Sequence, residues 1–228
     1  MNAMTAVPRR FAAKAVLFDL DGTLVDSIPD LAEASVRMLT ELGLPPRSRD
    51  EITRFVGKGL AELVRRCISG AQPPSAEELA TALEVFKRHY AATNGSRSTV
   101  YDGVAETLAV LRARGLPLAV VTNKAHDFTV PLLAAMELEG YFAAVISGDT
   151  TAHKKPHPAP LREACARLGV APQTALMIGD SANDSLAARA AGMAVLLVDY
   201  GYSEGLPVDT IECDGLLSSV RQLPDWLA

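Results

Sequence analysis

Two carboxylates with one residue between them, Asp19 and Asp21, directly follow the apolar run at residues 15–18. At the end of a buried strand, two ionised carboxylates repel each other and lose hydration, so such a pair is costly unless a cation lies there. The alternative is a solvated turn, because Asp21-Gly22 is a common turn pair. Open α/β sheets bind their ligands just beyond the carboxyl ends of their strands, and that position favours a ligand site.

A second acidic pair, Asp180 and Asp184, follows the apolar run at residues 175–178. If both runs are parallel strands, their carboxyl ends lie at the same edge of the sheet and the four carboxylates converge. Four carboxylates are tolerated together only around a hard divalent cation, and Mg²⁺ takes a few such oxygens together with water and phosphate. For Asp180 alone, the alternative is a helix N-cap on the following segment.

Two further polar segments carry weaker signals. Thr122 and Asn123 follow the apolar run at residues 118–121, and a hydroxyl beside helix-opening amides suits phosphate oxygens. An ordinary strand-to-helix cap is the alternative. Lys154 and Lys155 lie in a loop before a helix, where a lysine can act as a point charge on phosphate. An exposed lysine pair is the alternative there.

The elements that must position these residues alternate along the chain. Apolar runs without polar alternation predict parallel strands that are covered by helices on both faces. The predicted strands are residues 15–18, 118–121, 143–146, 175–178 and 194–198, and the predicted helices between them are 104–114, 126–138, 159–168 and 183–191. Glycines that follow the helix ends predict left-handed caps at Gly115, Gly140, Gly169 and Gly192. This order predicts an α/β fold with a doubly wound, Rossmann-like parallel sheet.

An all-helical insertion interrupts this alternation after the first strand. Helical patterns cover residues 29–42 and 57–69, and Ser75 and Glu78 have the spacing of a capping box that opens a third helix. The sequence predicts an α/β core of residues 1–26 and 95–228 and a helical cap of residues 27–94. The segment Asn94-Gly95-Ser96 is the predicted hinge back into the core.

Composition excludes several classes of protein. The balance of 27 acidic against 22 basic residues, with 5% aromatic residues, disfavours a nucleic-acid binder. No apolar run reaches the length of a membrane span, and the first 14 residues lack the apolar centre of a signal peptide. Three scattered cysteines, without a CxxC pair, indicate a reduced cytoplasmic protein. We expect a small-molecule partner, no nucleic-acid or membrane partner, and a monomer or homodimer.

The four polar segments, in their order from Asp19 to Asp184, resemble the haloacid dehalogenase-like phosphohydrolase superfamily, and the helical insertion resembles its helical-cap subclass. The resemblance covers most of the chain. The run at residues 18–31 is similar to the phosphoglycolate phosphatases within that superfamily, as are the stretches 56–59, 147–150 and 198–202.

The resemblance implies a role for each matching residue. Asp19 is the nucleophile that forms an aspartyl-phosphate, and Asp21 is the general acid and base. Thr122, the amide of Asn123, and Lys155 rather than Lys154 bind the phosphoryl group. Magnesium is bound by Asp19, the backbone carbonyl of Asp21, and Asp180, with Asp184 in support. The implied substrate is a small phosphorylated metabolite, 2-phosphoglycolate before others, and the implied products are glycolate and phosphate.

Other activities stay open at this point. A pyrophosphatase or another small-metabolite phosphatase is the first alternative, since the cap sets specificity. A sugar phosphomutase is disfavoured because Thr23 stands where that group typically has valine, and a dehalogenase is disfavoured by Asp21. Lys58, between Gly57 and Gly59 in the cap, is a candidate for binding a substrate carboxylate, with a solvated lysine as the alternative.

Overall fold

A six-stranded parallel sheet forms the centre of the fold in the computed structural model, which describes residues 10–228. The prediction that the first 14 residues lack a signal-peptide centre concerns mainly residues 1–9, which lie outside the described range. The strands are β1 (Ala15–Phe18), β2 (Val25–Asp26), β3 (Thr99–Val100), β4 (Leu118–Val121), β5 (Ala144–Ile146), β6 (Ala175–Gly179), β7 (Ala194–Val198) and β8 (Gly215–Leu217). The order in the sheet is β5-β4-β1-β6-β7-β8, and Leu17 of β1 lies opposite Ala119 of β4 and Met177 of β6.

Helices follow most of these strands. They are α1 (Ile28–Glu41), α2 (Arg49–Phe55), α3 (Leu60–Ile68), α4 (Ala76–Thr93), α5 (Val104–Ala113), α6 (His126–Ala135), α7 (Ala159–Leu168) and α8 (Ala182–Ala191). Short 3₁₀ segments lie at Glu139–Tyr141, Pro172–Thr174, Ser203–Gly205, Val208–Thr210 and Val220–Trp226. None of the helices that the structure describes between residues 10 and 228 is both long enough and apolar enough to span a bilayer.

Both faces of the parallel sheet are buried, which explains the uninterrupted apolar runs. Val16 and Phe18 of β1 pack into one apolar layer, which includes Leu108 of α5. Leu17 points to the opposite layer, which includes Leu161 of α7. A strand that is covered on both sides has no wet face and therefore no polar alternation. The predicted fold class, a doubly wound parallel α/β sheet with a helical cap, is confirmed.

The inserted helices α1–α4 have their own apolar cluster. It is built mainly from the facing sides of α1, α3 and α4, and Phe128 of α6 joins it from the sheet-bearing part. Helix α2 is absent from the sequence prediction. Ser48 opens it with a capping box to Glu51, and it is only seven residues long with a single buried residue, Ile52. We propose that residues 27–94 act as one cap unit.

The inserted helices connect to the sheet through two short strands. Val25 and Asp26 of β2 pair antiparallel with Val100 and Thr99 of β3. The buried carboxylate of Asp30 in α1 accepts hydrogen bonds from the backbone N–H groups of residues 95, 97 and 98 and from the hydroxyl of residue 98. Both chain crossings are thereby tied to α1.

One predicted helix cap is wrong. Gly140 lies inside a 3₁₀ segment and does not have a left-handed backbone, because α6 already ends at Ala135 and the left-handed residue is Glu137, with φ 57°. Gly115, Gly169 and Gly192 have φ between 68° and 74°, as predicted. Helix α6 is thus three residues shorter than its apolar pattern suggests.

Candidate active site

Three adjacent strands end in polar side chains at the same edge of the sheet. Asp19 follows β1, Thr122 follows β4 and Asp180 follows β6, and β1 lies between the other two strands. One oxygen each of Asp19, Asp180 and Asp184 lie within 4.8 Å of one another. The parallel arrangement of β1 and β6 therefore brings Asp19 together with Asp180 and Asp184, which lie more than 150 residues later in the chain.

Lys155 is the cation of this cluster. Its side chain is 1% exposed, and its Nζ lies 2.9 Å from Asp19 Oδ1 and 2.7 Å from Asp184 Oδ1. Nζ also donates to the backbone carbonyl of Val121, at 2.7 Å. Burial by itself would lower the pKa of Lys155, but the two carboxylates outweigh it and raise that pKa. Lys154 is exposed and lies near Gly59 of the α2–α3 loop.

The acidic cluster holds more negative charge than one lysine offsets. Burial raises the pKa of Asp19 to about 7, although Lys155 opposes that rise. Burial, followed by the charges of Asp184 and Asp19, also raises the pKa of Asp180 well above its usual range. Three carboxylate oxygens within reach of one point are a donor set that suits a hard divalent cation. The residues therefore fit a metal ion of this kind.

Asp180 and Asp184 have different hydrogen-bond environments. Ser181, not Asp180, is the N-cap residue of α8, so the alternative assignment of Asp180 as a cap is wrong. The Asp184 carboxylate accepts the N–H and hydroxyl of Ser181, at 3.1 and 2.9 Å. Asp180 Oδ2 accepts the backbone N–H of Tyr202, at 2.7 Å. Asp184 is thus held on both oxygens by protein groups, whereas Asp180 lines a cavity.

Gly22 is required by this crowding. Its φ is +86°, in the region that favours glycine, and a Cβ on it would lie 2.3 Å from Asp180 Oδ2. The glycine in the Asp19-to-Thr23 segment therefore allows the loop after β1 to approach the carboxylate after β6.

Thr122 and Asn123 lie beside the carboxylates, both buried and both on the cavity wall. The side chain of Asn123 forms hydrogen bonds that were not predicted from the sequence. Its Nδ2 donates to the carbonyls of Gly57 and Lys155, at 2.8 and 2.9 Å, and its Oδ1 accepts the N–H of Lys155, at 2.9 Å. Asn123 therefore ties the lysine loop to the loop between α2 and α3.

Lys124 is a site residue that the sequence analysis missed. Its Nζ lies 2.9 and 3.0 Å from the two carboxylate oxygens of Asp21, and its side chain is 1% exposed. The ammonium lies 5.0 Å from the ring centroid of Tyr90 in α4. Ser27 also donates its hydroxyl to Asp21. A lysine three residues after a strand gives no signal by itself, because its burial depends on the packing of α4 onto the core.

A small cavity lies between the sheet edge and the inserted helices. Its volume is about 30 Å³. Its wall is formed by the core residues Asp19, Asp21, Thr122, Asn123, Lys124, Asp180, Ser181, Tyr202, Ser203 and Glu204, and by Leu31, Val56, Gly57, Gly59, Leu60 and Leu63 of the insertion. Asp19, Asp21 and Asp180 thus share one cavity with Thr122 and Asn123, while Lys155 and Asp184 lie behind Asp19.

Lys58 is directed to a protein carboxylate. Its Nζ lies 3.1 Å from Glu204 Oε2, and its side chain is 46% exposed. Glu204, which does line the cavity, also accepts a hydrogen bond from the side chain of Asn183. The candidate role of Lys58 in binding a substrate carboxylate stays a prediction, and its observed partner belongs to the core.

Comparisons with known proteins agree with this geometry. The family model described as haloacid dehalogenase-like hydrolase matches residues 16–198. Phosphoglycolate phosphatases of Thiobacillus denitrificans and Nitrosospira multiformis are 44% and 46% identical over 211 residues. The matches cover 92% of this chain and 93% of each of those proteins. A predicted phosphoglycolate phosphatase from Haemophilus somnus superposes with a TM-score of 0.89 at 33% identity, over 93% of this chain and 97% of that one.

A doubly wound parallel α/β sheet with an acidic cluster at its carboxyl edge, covered by a helical insertion, defines a phosphohydrolase with a helical cap. The chain belongs to the haloacid dehalogenase-like hydrolase family. It is an enzyme, a phosphoric monoester hydrolase, as the resemblance in the sequence predicts.

Proposed function

We propose that the protein is a Mg²⁺-dependent phosphatase that hydrolyses 2-phosphoglycolate to glycolate and phosphate. The observation that carries the chemistry is the convergence of Asp19, Asp180 and Asp184 around Lys155, beside Asp21 and under the inserted helices. The substrate is proposed from the relatives named phosphoglycolate phosphatase.

Asp19 is the proposed nucleophile. Its carboxylate oxygen attacks phosphorus, the P–O bond to the leaving alcohol breaks, and water then hydrolyses the resulting aspartyl-phosphate, an acyl phosphate, to phosphate and free Asp19. Asp21 gives a proton to the leaving alkoxide and afterwards takes one from the attacking water. Their placement on one cavity wall, two residues apart along a single loop, supports this division of labour.

The phosphoryl group is held by the groups around Asp19. We assign its oxygens to the Thr122 hydroxyl, the Asn123 backbone amide and, through charge, Lys155. Asp19, Asp180 and the backbone carbonyl of Asp21 would hold Mg²⁺, and Asp184 would hold Lys155. When bound, Mg²⁺ offsets the negative charge that two carboxylates and a phosphate bring together.

The inserted helices control access to the cavity in this proposal. The cavity, about 30 Å³ in this structure, is walled on one side by residues of the insertion, so the path to Asp19 depends on where the insertion lies. Residues 27–94 therefore open to admit substrate and close to exclude bulk water, which strengthens the electrostatic interactions inside. The hydrogen bond from Asn123 to the Gly57 carbonyl marks the closed arrangement.

The test compares kcat/KM for 2-phosphoglycolate, pyrophosphate and other small phosphate esters, with Mg²⁺ and with EDTA. We expect a Mg²⁺-dependent preference for 2-phosphoglycolate. Preference for pyrophosphate or broad activity would keep the chemistry and reject the substrate. Inactivity on every ester in the presence of Mg²⁺ would reject the proposed function.

The nucleophile is tested by Asp19→Asn, with the exposed Asp209→Asn as the matched control. We expect the first variant to lose about a thousandfold or more in kcat, because an amide cannot form the phosphoenzyme. Its circular dichroism should be unchanged, since one buried charge is removed. A near-wild-type rate for Asp19→Asn would contradict the assignment.

A further inference from the structure

The charges on the cavity wall are unevenly distributed. Among the described residues that line it, Asp19, Asp21, Asp180 and Glu204 carry carboxylates, and Lys124 alone carries a positive side chain. A second anionic group on a substrate, apart from its phosphate, is repelled by most of this wall. Lys124 is the one place on it where such a group finds a cation.

Two other lysines near the site, Lys155 and Lys58, are paired with other groups. Lys155 Nζ already serves Asp19, Asp184 and the Val121 carbonyl, which matches the three donors of an ammonium. Lys58, which does not line the cavity, pairs with the lining residue Glu204. Lys124 donates two hydrogen bonds to the Asp21 carboxylate and interacts with Tyr90, and it also faces the cavity.

Lys124 is also fixed in place. Its side chain is 1% exposed, and its ammonium lies between the Asp21 carboxylate and the Tyr90 ring, 5.0 Å from the ring centroid. A cation held between a carboxylate and an aromatic face does not have to be ordered when a ligand arrives. Tyr90 belongs to α4, so this arrangement is complete only while the inserted helices are closed.

The covalent structure of an α-carboxylate ester then places its carboxylate. In 2-phosphoglycolate a single methylene carbon separates the ester oxygen from the carboxylate carbon. Asp21 must contact that ester oxygen to protonate it, so the carboxylate falls directly beside Asp21, where Lys124 Nζ lies 2.9 Å away. We propose that Lys124 binds the substrate carboxylate and selects phosphate esters whose leaving alcohol carries an α-carboxylate. This inference rests on the proposed function.

A matched pair of substrates isolates this role. 2-Phosphoglycolate and 2-hydroxyethyl phosphate share the same leaving-group skeleton, with a carboxylate in the first and a neutral hydroxymethyl group in the second. Loss of Lys124 disturbs Asp21 for both esters alike, whereas loss of a carboxylate contact affects only the first. The ratio of the two kcat/KM values therefore separates substrate recognition from positioning of Asp21.

We expect the wild type to favour 2-phosphoglycolate by about tenfold or more, and Lys124→Met to reduce that ratio to within about threefold of unity, mainly through KM for 2-phosphoglycolate. Lys87→Met, which removes an exposed lysine of α4 paired with Glu84, should leave the ratio unchanged. Lys58→Met tests the alternative that Lys58 binds the substrate carboxylate, and we expect this variant to leave the ratio unchanged as well.

Two results would overturn the inference while leaving the proposed function intact. In one, Lys124→Met slows both esters by the same factor; in the other, Lys58→Met is the variant that removes the preference. A wild type without Mg²⁺-dependent activity on either ester would reject the proposed function and this inference with it. Lys124→Gln, whose neutral amide can still donate to Asp21, gives the same test if the methionine variant does not fold.

Discussion

At the scale of single residues, Asp19 and Asp180 lie in an environment that disfavours their ionised forms. Burial raises the pKa of both, and Lys155 compensates only part of the charge. A folded-state pKa of about 7 for Asp19, against 3.8 for an ordinary aspartate, means that the folded protein binds a proton that the unfolded chain has released. This contribution to stability is fully present below pH 4 and is lost as the pH rises through 7.

Mg²⁺ should therefore stabilise the protein more at pH 8 than at pH 5.5. The ion binds ionised carboxylates and must displace protons at the lower pH. We expect the rise in Tm on adding Mg²⁺ to be several degrees larger at pH 8. Thermal melts with Mg²⁺ and with EDTA measure it. Asp180→Asn should abolish the Mg²⁺ shift and Asp209→Asn should keep it, and equal shifts at both pH values would count against the metal assignment.

At the scale of elements, Asp30 in α1 joins the insertion to the sheet-bearing part. Its fully buried carboxylate accepts the backbone N–H groups of Gly95, Arg97 and Ser98, at 2.8–3.0 Å. These three donors lie between α4 and β3, where the chain returns to the sheet. One side chain thus accepts three of the backbone N–H groups of the connecting segment.

Asp30→Ala should lower the free energy of unfolding by about 3 kcal/mol or more, because three buried donors lose their acceptor. Glu33→Ala is the matched control on the same helix. Glu33 forms exposed ion pairs with Arg37 and, at 3.7 Å, with Arg97, and its loss should cost less than about 1 kcal/mol. Urea unfolding of both variants, followed by circular dichroism, makes the comparison. Similar costs for the two would show that the connecting segment does not depend on Asp30.

The strands differ in how well the sequence predicts them. Strands β1, β4 and β7 were predicted to the residue, because burial on both faces leaves unbroken apolar runs with clear ends. The strands β2, β3 and β8 were missed: two residues form no pattern, and the three residues of β8, Gly215–Leu217, begin with a glycine and form no continuous apolar run.

The candidate site divides in the same way. Asp19, Asp180 and Thr122 follow strands, so their convergence could be predicted from parallel topology alone. The pairing of Lys124 with Asp21 joins two core loops that are far apart in the chain, and the Tyr90 ring above it and the bond from Asn123 to Gly57 depend on how the insertion docks. Docking brings together residues that are far apart in the chain and carries no local signal.

At the scale of the whole molecule, polar contacts join the loop between α2 and α3 to the core. Lys58 and Glu204 form one of them, and Asn123 with the Gly57 carbonyl forms another. Ser203 and Glu204 both have positive φ, 45° and 52°, a conformation that costs non-glycine residues energy. This loop is therefore held by its contacts, and its strain is released if the contacts break.

Reversing the charge of Lys58 should weaken closure. In Lys58→Glu two carboxylates face each other, and we expect kcat/KM for the preferred ester to fall about three- to tenfold, together with faster proteolytic cleavage between residues 27 and 94. Glu204→Lys should have a similar effect, since two ammonium groups then oppose each other. Combining both changes restores an opposite-charge pair, and activity should recover to within about twofold of wild type, which corresponds to a coupling of about 1–2.5 kcal/mol. Losses that multiply in the double variant, without recovery, would show that the Lys58–Glu204 pair does not hold the insertion closed.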